Sequence, residues 1–223
     1  MTGVNACSRH NLIYLNGPYR QGTRRKKKNM KISIYGMGYV GVVSGACLLR
    51  DGHQIVGVDP NIAKVKDLAQ GRSPIQEPSV SHLLAEGHKA ARLKATTETS
   101  EGLDHSDMVW ICVGTPSQPD GGIDYSSVDT VIAQIGRALR DSRNHPLIVI
   151  RSTCLPGTTS NRLIPLLEKE SGLTAGKDIH VVFHPIIDDH CIHNWLNAGI
   201  RILDLAGIKG VDRQTDGYEG IYW

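Results

Sequence analysis

The feature that most restricts the fold is a run of three glycines at fixed spacing, Gly36, Gly38 and Gly41, between two apolar segments. When such a run follows a strand and opens a helix, the first glycine permits a tight turn and the second lets the backbone approach a pyrophosphate. The third allows the helix to pack closely on the strand. The N-terminus of the helix then presents free N–H groups and the positive end of its dipole to a negative charge. The run therefore predicts a strand–turn–helix unit that binds a dinucleotide.

A carboxylate follows the glycine run at the distance expected of such a unit. Asp59 stands 18 residues after Gly41, at the end of a second apolar segment, residues 54–58. In that position it would accept hydrogen bonds from the adenosine ribose hydroxyls, and it favours NAD over NADP because a 2′-phosphate would meet a like charge. The structural alternative is a plain glycine turn with Asp59 capping the next helix.

Apolar segments alternate with amphipathic ones from Met30 to Phe183. The pattern predicts strands at 31–35, 54–58, 93–95, 108–113, 147–150 and 179–183, and helices at 39–51, 64–69, 80–89, 128–139 and 159–170. Strands that are apolar throughout and alternate with helices belong to a parallel sheet covered on both faces. The predicted fold class is therefore α/β, a Rossmann-like doubly wound parallel sheet with helices on both faces.

Two further loops follow predicted strands, where a doubly wound sheet places its ligands. Residues 113–117 contain Thr115, and residues 151–153 contain Thr153. Hydroxyl groups in these loops are candidates for hydrogen bonds to the nicotinamide or its ribose. Each loop is equally consistent with a plain turn or a helix cap.

Composition excludes several classes of protein. The 223 residues are 40% hydrophobic and 21% charged with a net charge of +3, which is typical of a globular chain. The basic excess precedes Met30, so we expect no nucleic-acid-binding surface on the fold. Five widely spaced cysteines without a CxxC pair predict reduced thiols and a cytoplasmic location. The apolar run at 32–49 imitates a secretion signal, but its glycines and short length argue against export or membrane insertion.

The chain divides into three regions that differ in sequence pattern. We predict a disordered basic leader over residues 1–29, the Rossmann NAD-binding domain over residues 30–185, and an irregular tail over residues 186–223. The leader is interpreted as a solvated tail or as sequence upstream of a start at Met30, with a nucleic-acid or membrane anchor as the alternative. In the tail, a helix over 197–208 is a weak candidate because Gly199 and Gly207 disfavour it.

The tail also concentrates side chains of the metal-ligating type. Six of them fall within ten residues: His184, Asp188, Asp189, His190, Cys191 and His193. Their spacing matches no common zinc pattern, so we expect no metal site.

Five motifs in a fixed order make the chain similar to a known family. They are Met30–Gly41, Gly57–Asp59, Ser73–Pro78, Ile111–Ser117 and Arg151–Thr158. Together they resemble the N-terminal NAD-binding domain of the UDP-glucose/GDP-mannose 6-dehydrogenases, over residues 30–185. The form of the last motif is closer to the GDP-mannose enzymes. The resemblance implies oxidation of a sugar C6 alcohol to a carboxylate, with two NAD molecules reduced in turn.

The resemblance also implies roles for individual residues. It assigns the backbone of Tyr39 and Val40 to the pyrophosphate, Asp59 and Lys64 to the adenosine ribose, and Thr115 and Thr153 to the nicotinamide side. Lys64 has an alternative interpretation as a solvated helix lysine. No role follows for Glu77, although it lies in a loop that the family shares.

The sequence departs from the family beyond Pro185. The family's glutamate that supports the substrate corresponds to His190, and its Gly-Gly-Ser-Cys motif, which carries the catalytic thiolate, has no counterpart. We expect a coding discontinuity or truncation after about residue 185, no catalytic residue in this chain, and a nucleotide-sugar substrate only if the missing domain is supplied. The alternatives are an NAD-binding or partner-binding module without turnover, and a non-functional product. Oligomeric state does not follow from the sequence.

Overall fold

Six parallel strands form the central sheet. The computed structural model describes residues 29–104, 106–155 and 157–183, and the backbone of two short strands beyond them. The strands of the sheet are β1 (Lys31–Tyr35), β2 (Gln54–Val58), β3 (Leu93–Thr96), β4 (Met108–Ile111), β5 (Leu147–Ile150) and β6 (Val181–Phe183). They lie in the order β3, β2, β1, β4, β5, β6. The order runs outward from β1 in both directions, which is the doubly wound arrangement, and the predicted fold class is confirmed.

Helices connect the strands. They are α1 (Tyr39–Arg50), α2 (Ile62–Ala69), α3 (Pro78–Lys89), α4 (Thr99–Leu103), α5 (Ser126–Arg140) and α6 (Ile164–Ser171). Local sequence sets several of their ends. Asn61 caps α2 by accepting hydrogen bonds from two backbone N–H groups, and Pro78 occupies the start of α3, where its missing N–H costs nothing. Gly172 ends α6 with a φ of +74°, a conformation that glycine adopts readily.

The helices cover the sheet in two layers. On one face α1 and α3 pack on the strands, and Ile34, Ala46 and Leu84 belong to the same buried cluster. On the other face α5 and α6 form a second buried cluster that includes Ile132 and Leu167. Burial of apolar surface on both faces stabilises the sheet, and the ends of its strands are left uncovered by the helices.

Apart from element ends that differ by one or two residues, predicted and observed elements differ in two places within the sheet domain. The helix expected over 159–170 begins as a π-helical segment, Thr159–Leu163, and continues as α6. Pro165 near the junction cannot donate the backbone hydrogen bond that an uninterrupted α-helix needs. The five-residue α4 was not predicted, because it is too short to show helical periodicity.

The two terminal regions contribute little to the described structure. Residues 1–28 lie outside the described residues, as do 184–201. Beyond them, β7 (Ile202–Asp204) and β8 (Tyr218–Gly220) pair in parallel. The helix expected over 197–208 is therefore wrong at 202–204, where β-branched Ile202 opens a strand between two glycines that disfavour a helix. Among the described residues no helix is long and apolar enough to cross a membrane.

Candidate functional site

The glycine run forms the predicted turn between β1 and α1. Gly36 has a φ of +96°, and a Cβ atom at this position would lie 2.9 Å from the carbonyl carbon of Cys112. Its N–H donates a hydrogen bond to the carbonyl oxygen of Val58, at 2.8 Å. Both the conformation and the close contact exclude a side chain here, so the turn requires glycine.

The other two glycines differ in what requires them. A Cβ atom on Gly41 would lie 2.1 Å from the carbonyl oxygen of Gly36, so close packing of α1 on the turn excludes a side chain. A Cβ atom on Gly38 would meet no heavy atom within 4 Å, and the φ of Gly38 is −82°, which any residue adopts. Among the described residues nothing demands glycine at position 38. The open space in front of α1 fits a ligand that the backbone must approach closely.

The first turn of α1 carries no competing negative charge. Gly38 has no side chain with which to cap the helix, and the first turn contains no acidic residue. Tyr39 and Val40 are 61% and 48% exposed, which leaves this end of the helix open to solvent. Free N–H groups at a helix N-terminus bind anions. This end of α1 therefore fits the pyrophosphate of a dinucleotide.

Asp59 lies at the end of β2 and ties the glycine turn to the next loop. It is only 5% exposed. Its Oδ2 accepts a hydrogen bond from the N–H of Met37 at 2.8 Å, and its Oδ1 accepts one from the N–H of Asn61 at 2.9 Å. The alternative in which Asp59 caps α2 is wrong, because Asn61 caps that helix through the N–H groups of Ala63 and Lys64.

Lys64 supplies the third donor to the same carboxylate. Its Nζ lies 3.3 Å from Oδ2 of Asp59, and its side chain is 36% exposed. A carboxylate offers about four acceptor positions, so three donors leave room for one more on Oδ1. Lys64 is therefore not simply a solvated helix lysine. The structure brings Asp59 and Lys64 together at the edge of the sheet, beside the glycine turn.

The loops after β4 and β5 are joined to each other by a buried hydroxyl. Oγ of Ser152 donates to the carbonyl oxygen of Val113 at 2.7 Å. The hydroxyl proton of Ser152 is therefore already used within the protein and cannot be donated to a ligand. Thr115 is half-buried and Thr153 is exposed. Among the described residues neither of these two hydroxyls has a hydrogen-bond partner, so both remain candidates for contact with a cofactor.

The two cysteines in these loops are poor nucleophiles. Burial raises the pKa of the Cys112 thiol to about 12, although the neighbouring Arg151 opposes the shift. Burial and the charge of Asp129 raise the pKa of the Cys154 thiol to about 11. The thiolate is the nucleophilic form, so both thiols are almost wholly unreactive near neutral pH. Cys47 lies within α1, half-buried.

Sequence reasoning missed several side chains that shape this edge. The phenol of Tyr39 donates to Oε1 of Glu77 at 3.3 Å, which links α1 to the start of α3. The guanidinium of Arg151 lies over the ring of Trp110, 4.8 Å from its centroid. Tyr125 contacts the loop after β5. Tyr39, Glu77 and Arg151 lie in the five motifs, although the motifs do not indicate these side-chain contacts, whereas Trp110 and Tyr125 lie outside the motifs.

Metal ligands are not grouped in the described part of the chain. No three histidine, cysteine, aspartate or glutamate side chains there are placed to hold an ion. The cluster at 184–193 lies outside the described residues.

Comparisons with known proteins agree with this geometry. Residues 30–197 match the family model described as UDP-glucose/GDP-mannose dehydrogenase family, NAD binding domain. The GDP-mannose 6-dehydrogenase of Azotobacter vinelandii is 46% identical over 156 residues, which are 70% of this chain and 36% of that protein. The UDP-glucose 6-dehydrogenase of Haloferax volcanii is 36% identical over 156 residues, again 70% of this chain and 36% of that protein.

A solved structure shows the same relationship. The ternary complex of GDP-mannose dehydrogenase from Pseudomonas aeruginosa superposes with a TM-score of 0.67 at 41% identity, over 74% of this chain and 38% of that one. The chain thus spans little more than a third of the length of these proteins. The family model ends at residue 197, past the boundary at 185 that the motifs predict. The resemblance is confirmed, with NAD as the cofactor: the chain belongs to the UDP-glucose/GDP-mannose dehydrogenase family and contains its NAD-binding domain.

Proposed function

We propose that this chain supplies the NAD-binding half of a nucleotide-sugar 6-dehydrogenase, with GDP-mannose as the sugar substrate. The observation that carries the proposal is the open space at Gly38, in front of the uncapped N-terminus of α1. When bound, NAD supplies the hydride acceptor for oxidation of an alcohol carbon. The residues of this chain hold and orient the cofactor.

One half of the site receives the adenosine and pyrophosphate. This adenosine half comprises residues 36–41 and 59–64. The N–H groups of Tyr39 and Val40 bind the pyrophosphate at the helix N-terminus. The free acceptor position on Asp59 binds a ribose hydroxyl, and Lys64 forms an ion pair with the other oxygen of the same carboxylate. The negative charge disfavours the 2′-phosphate of NADP.

The other half receives the nicotinamide and its ribose. This nicotinamide half comprises residues 112–117 and 151–158. Its candidate contacts are the hydroxyls of Thr115 and Thr153, which have no partner among the described residues. The first loop follows β4, which is the neighbour of β1, and the second follows β5, which lies beyond β4. Both loops therefore lie at the same edge of the sheet as the glycine turn. An extended dinucleotide spans this edge at the point where the strand order reverses.

The choice of sugar rests on similarity. The chain is 46% identical to a GDP-mannose 6-dehydrogenase and 36% identical to a UDP-glucose 6-dehydrogenase over equal lengths. We further propose that the residues of this chain bind NAD without completing the oxidation of the sugar. The raised thiol pKa values of Cys112 and Cys154 support this, because the family's oxidation requires a reactive thiolate. A nucleotide sugar would then be a substrate only when the catalytic part of the family is supplied from elsewhere.

Calorimetric titration of the full chain with NAD and with NADP tests the proposed NAD binding and the preference for NAD over NADP. Saturable NAD binding, with NADP at least tenfold weaker, is expected; equal affinities would contradict the role of Asp59.

The proposal that the chain does not complete the oxidation needs a turnover assay. The chain is mixed with NAD and GDP-mannose, or with UDP-glucose in a parallel sample, and absorbance is followed at the NADH maximum. No steady formation of NADH is expected. Turnover at the rate of a complete dehydrogenase would refute the claim of incompetence.

A further inference from the structure

The loop after β5 is fixed at its beginning by Ser152. This loop, residues 151–158, is described apart from Pro156 and carries the exposed Thr153. Ser152 is 5% exposed, and its hydroxyl bonds to the carbonyl oxygen of Val113 in the neighbouring loop. Thr153 follows directly. A single attachment at one end would leave the remainder of the loop free to turn, so its other end also matters.

Tyr125 fixes the far end of the loop. The N–H of Leu155 donates a hydrogen bond to the phenol oxygen of Tyr125 at 3.0 Å, and Oγ1 of Thr158 lies 3.4 Å from the same oxygen. Tyr125 immediately precedes α5, and its half-buried ring packs against the buried cluster on that face of the sheet. A phenol oxygen held by a packed ring is a fixed acceptor. Thr153 therefore lies between two attachment points, the Ser152 hydroxyl and the Tyr125 phenol.

A second contact holds the ring of Tyr125 itself. The guanidinium of Arg162 lies over this ring, 5.5 Å from its centroid. Arg162 also makes a two-pronged hydrogen bond to Asp129 of α5, with Nε to Oδ1 at 3.0 Å and Nη2 to Oδ2 at 2.6 Å. Exposed ion pairs contribute little stability, but a two-pronged pair fixes orientation. The ring is thus confined between the core and a guanidinium of fixed direction.

We propose that Tyr125 is a positioning residue whose phenol oxygen holds the 151–158 loop so that Thr153 meets the nicotinamide half of NAD. The proposal rests on the role assigned to Thr153 under the proposed function. Tyr125 acts through the loop backbone and not by contact with the cofactor. Its effect should therefore be confined to ligands that reach Thr153.

The test compares two ligands on the full chain. ADP fills the adenosine half alone, whereas NAD fills both halves. Tyr125→Phe removes the acceptor oxygen and keeps the ring, so the core packing and the contact with Arg162 remain. Loss of one hydrogen bond of this kind predicts that the Kd for NAD rises about threefold to tenfold. The Kd for ADP should stay within about twofold of that of the unchanged protein.

Arg137→Gln is the matched control. Arg137 joins α5 to α6 through Glu170, at 3.2 Å, and belongs to the same pair of helices without touching the loop. It should leave both dissociation constants unchanged. An equal loss of NAD and ADP affinity in Tyr125→Phe would mean that the phenol serves only general stability, and would overturn the proposal. No loss for either ligand would overturn it as well.

A double-mutant cycle tests whether the effect passes through Thr153. If it does, Tyr125→Phe should weaken NAD binding further by less than about twofold in a Thr153→Val background, because the contact being positioned is already absent. Additive losses would show that Tyr125 acts by another route. Failure of the unchanged chain to bind NAD would defeat the proposed function itself, whereas the preceding outcomes concern Tyr125 alone.

Discussion

The two halves of the cofactor site are built by different means. In the adenosine half, backbone geometry does the shaping: a positive φ at Gly36, a helix N-terminus, and one buried carboxylate that binds two backbone N–H groups. In the nicotinamide half, side-chain hydroxyls hold two loops in place, through Ser152 and Tyr125. The first half is rigid because atoms are packed against it. The second depends on a few individual hydrogen bonds.

This difference predicts that substitutions in the adenosine half lower stability or NAD affinity more than substitutions in the nicotinamide half. Where backbone contacts define the shape, adding one methyl group should greatly lower either the free energy of unfolding or the affinity for NAD. Where single hydrogen bonds define it, removing one should change affinity by a few fold, because each is worth about 0.5–1.5 kcal/mol net. Measuring stability and affinity for substitutions in both halves therefore tests whether the two halves differ in this way.

The largest effect is expected for Gly41→Ala. Its Cβ would lie 2.1 Å from the backbone oxygen of Gly36, and neither α1 nor the turn can move without disturbing β1. We expect a loss of at least about 3 kcal/mol in the free energy of unfolding, seen by urea denaturation followed by circular dichroism. Gly172→Ala is not a suitable control because of its positive φ, so Gly114→Ala, where a Cβ meets open space, serves instead. Normal stability of Gly41→Ala would contradict the close packing of α1 on the turn.

Gly38→Ala should separate binding from folding. Its Cβ meets no atom within 4 Å and its φ is ordinary, so the free energy of unfolding should change by less than about 1 kcal/mol. The methyl group would occupy the space assigned to the pyrophosphate. NAD affinity should fall by about a hundredfold in calorimetry, corresponding to roughly 3 kcal/mol. Unchanged affinity would show that the cofactor does not approach this part of the backbone.

Asp59→Asn should have an intermediate effect. The amide retains one acceptor but loses the charge that pairs with Lys64 and opposes a 2′-phosphate. We expect NAD affinity to fall by about tenfold and the preference for NAD over NADP to shrink by a similar factor. Asp67→Asn is the control, since it removes a carboxylate of α2 that pairs with Arg72 outside the adenosine half, and it should leave both affinities unchanged. If Asp59→Asn kept the full preference for NAD, another residue would have to exclude the 2′-phosphate.

The same contrast explains which features the sequence revealed. The turn of the adenosine half is encoded locally, by glycines at fixed spacing and by Asp59 at the end of an apolar strand, so its form was predictable. The helix ends of the fold were predicted to within two residues in most cases, because hydrophobic periodicity marks them. Lys64 was indicated only by the family resemblance, as a contact of the adenosine ribose, and its ion pair with Asp59 was not predicted.

The attachments of the nicotinamide half were not predictable. Tyr125 and Leu155 are 30 residues apart, and no periodic pattern links a phenol oxygen to a backbone N–H across that distance. Nothing in the sequence separates the hydroxyl of Ser152 from that of its neighbour Thr153. Only burial distinguishes them, since Ser152 faces the backbone of the next loop and Thr153 faces solvent. Pro165 marks an interruption of this helix in the sequence, but no pattern there indicates that Thr159–Leu163 is π-helical.

Ser152→Ala should produce the smallest effect on binding. The change leaves the carbonyl oxygen of Val113 without its 2.7 Å partner, which costs about 1–2 kcal/mol of stability. NAD affinity should fall about threefold, because Thr153 loses one of its two attachments, while ADP affinity stays constant. Ser142→Ala provides the control: its hydroxyl accepts from the N–H of Asn144 at 3.0 Å, in the connection between α5 and β5, at the opposite end of β5 from the 151–158 loop. It should lower stability without changing either affinity. A loss of NAD binding by Ser152→Ala as large as that of Gly38→Ala would mean that the nicotinamide half is as rigidly determined as the adenosine half, and the contrast between them would fail.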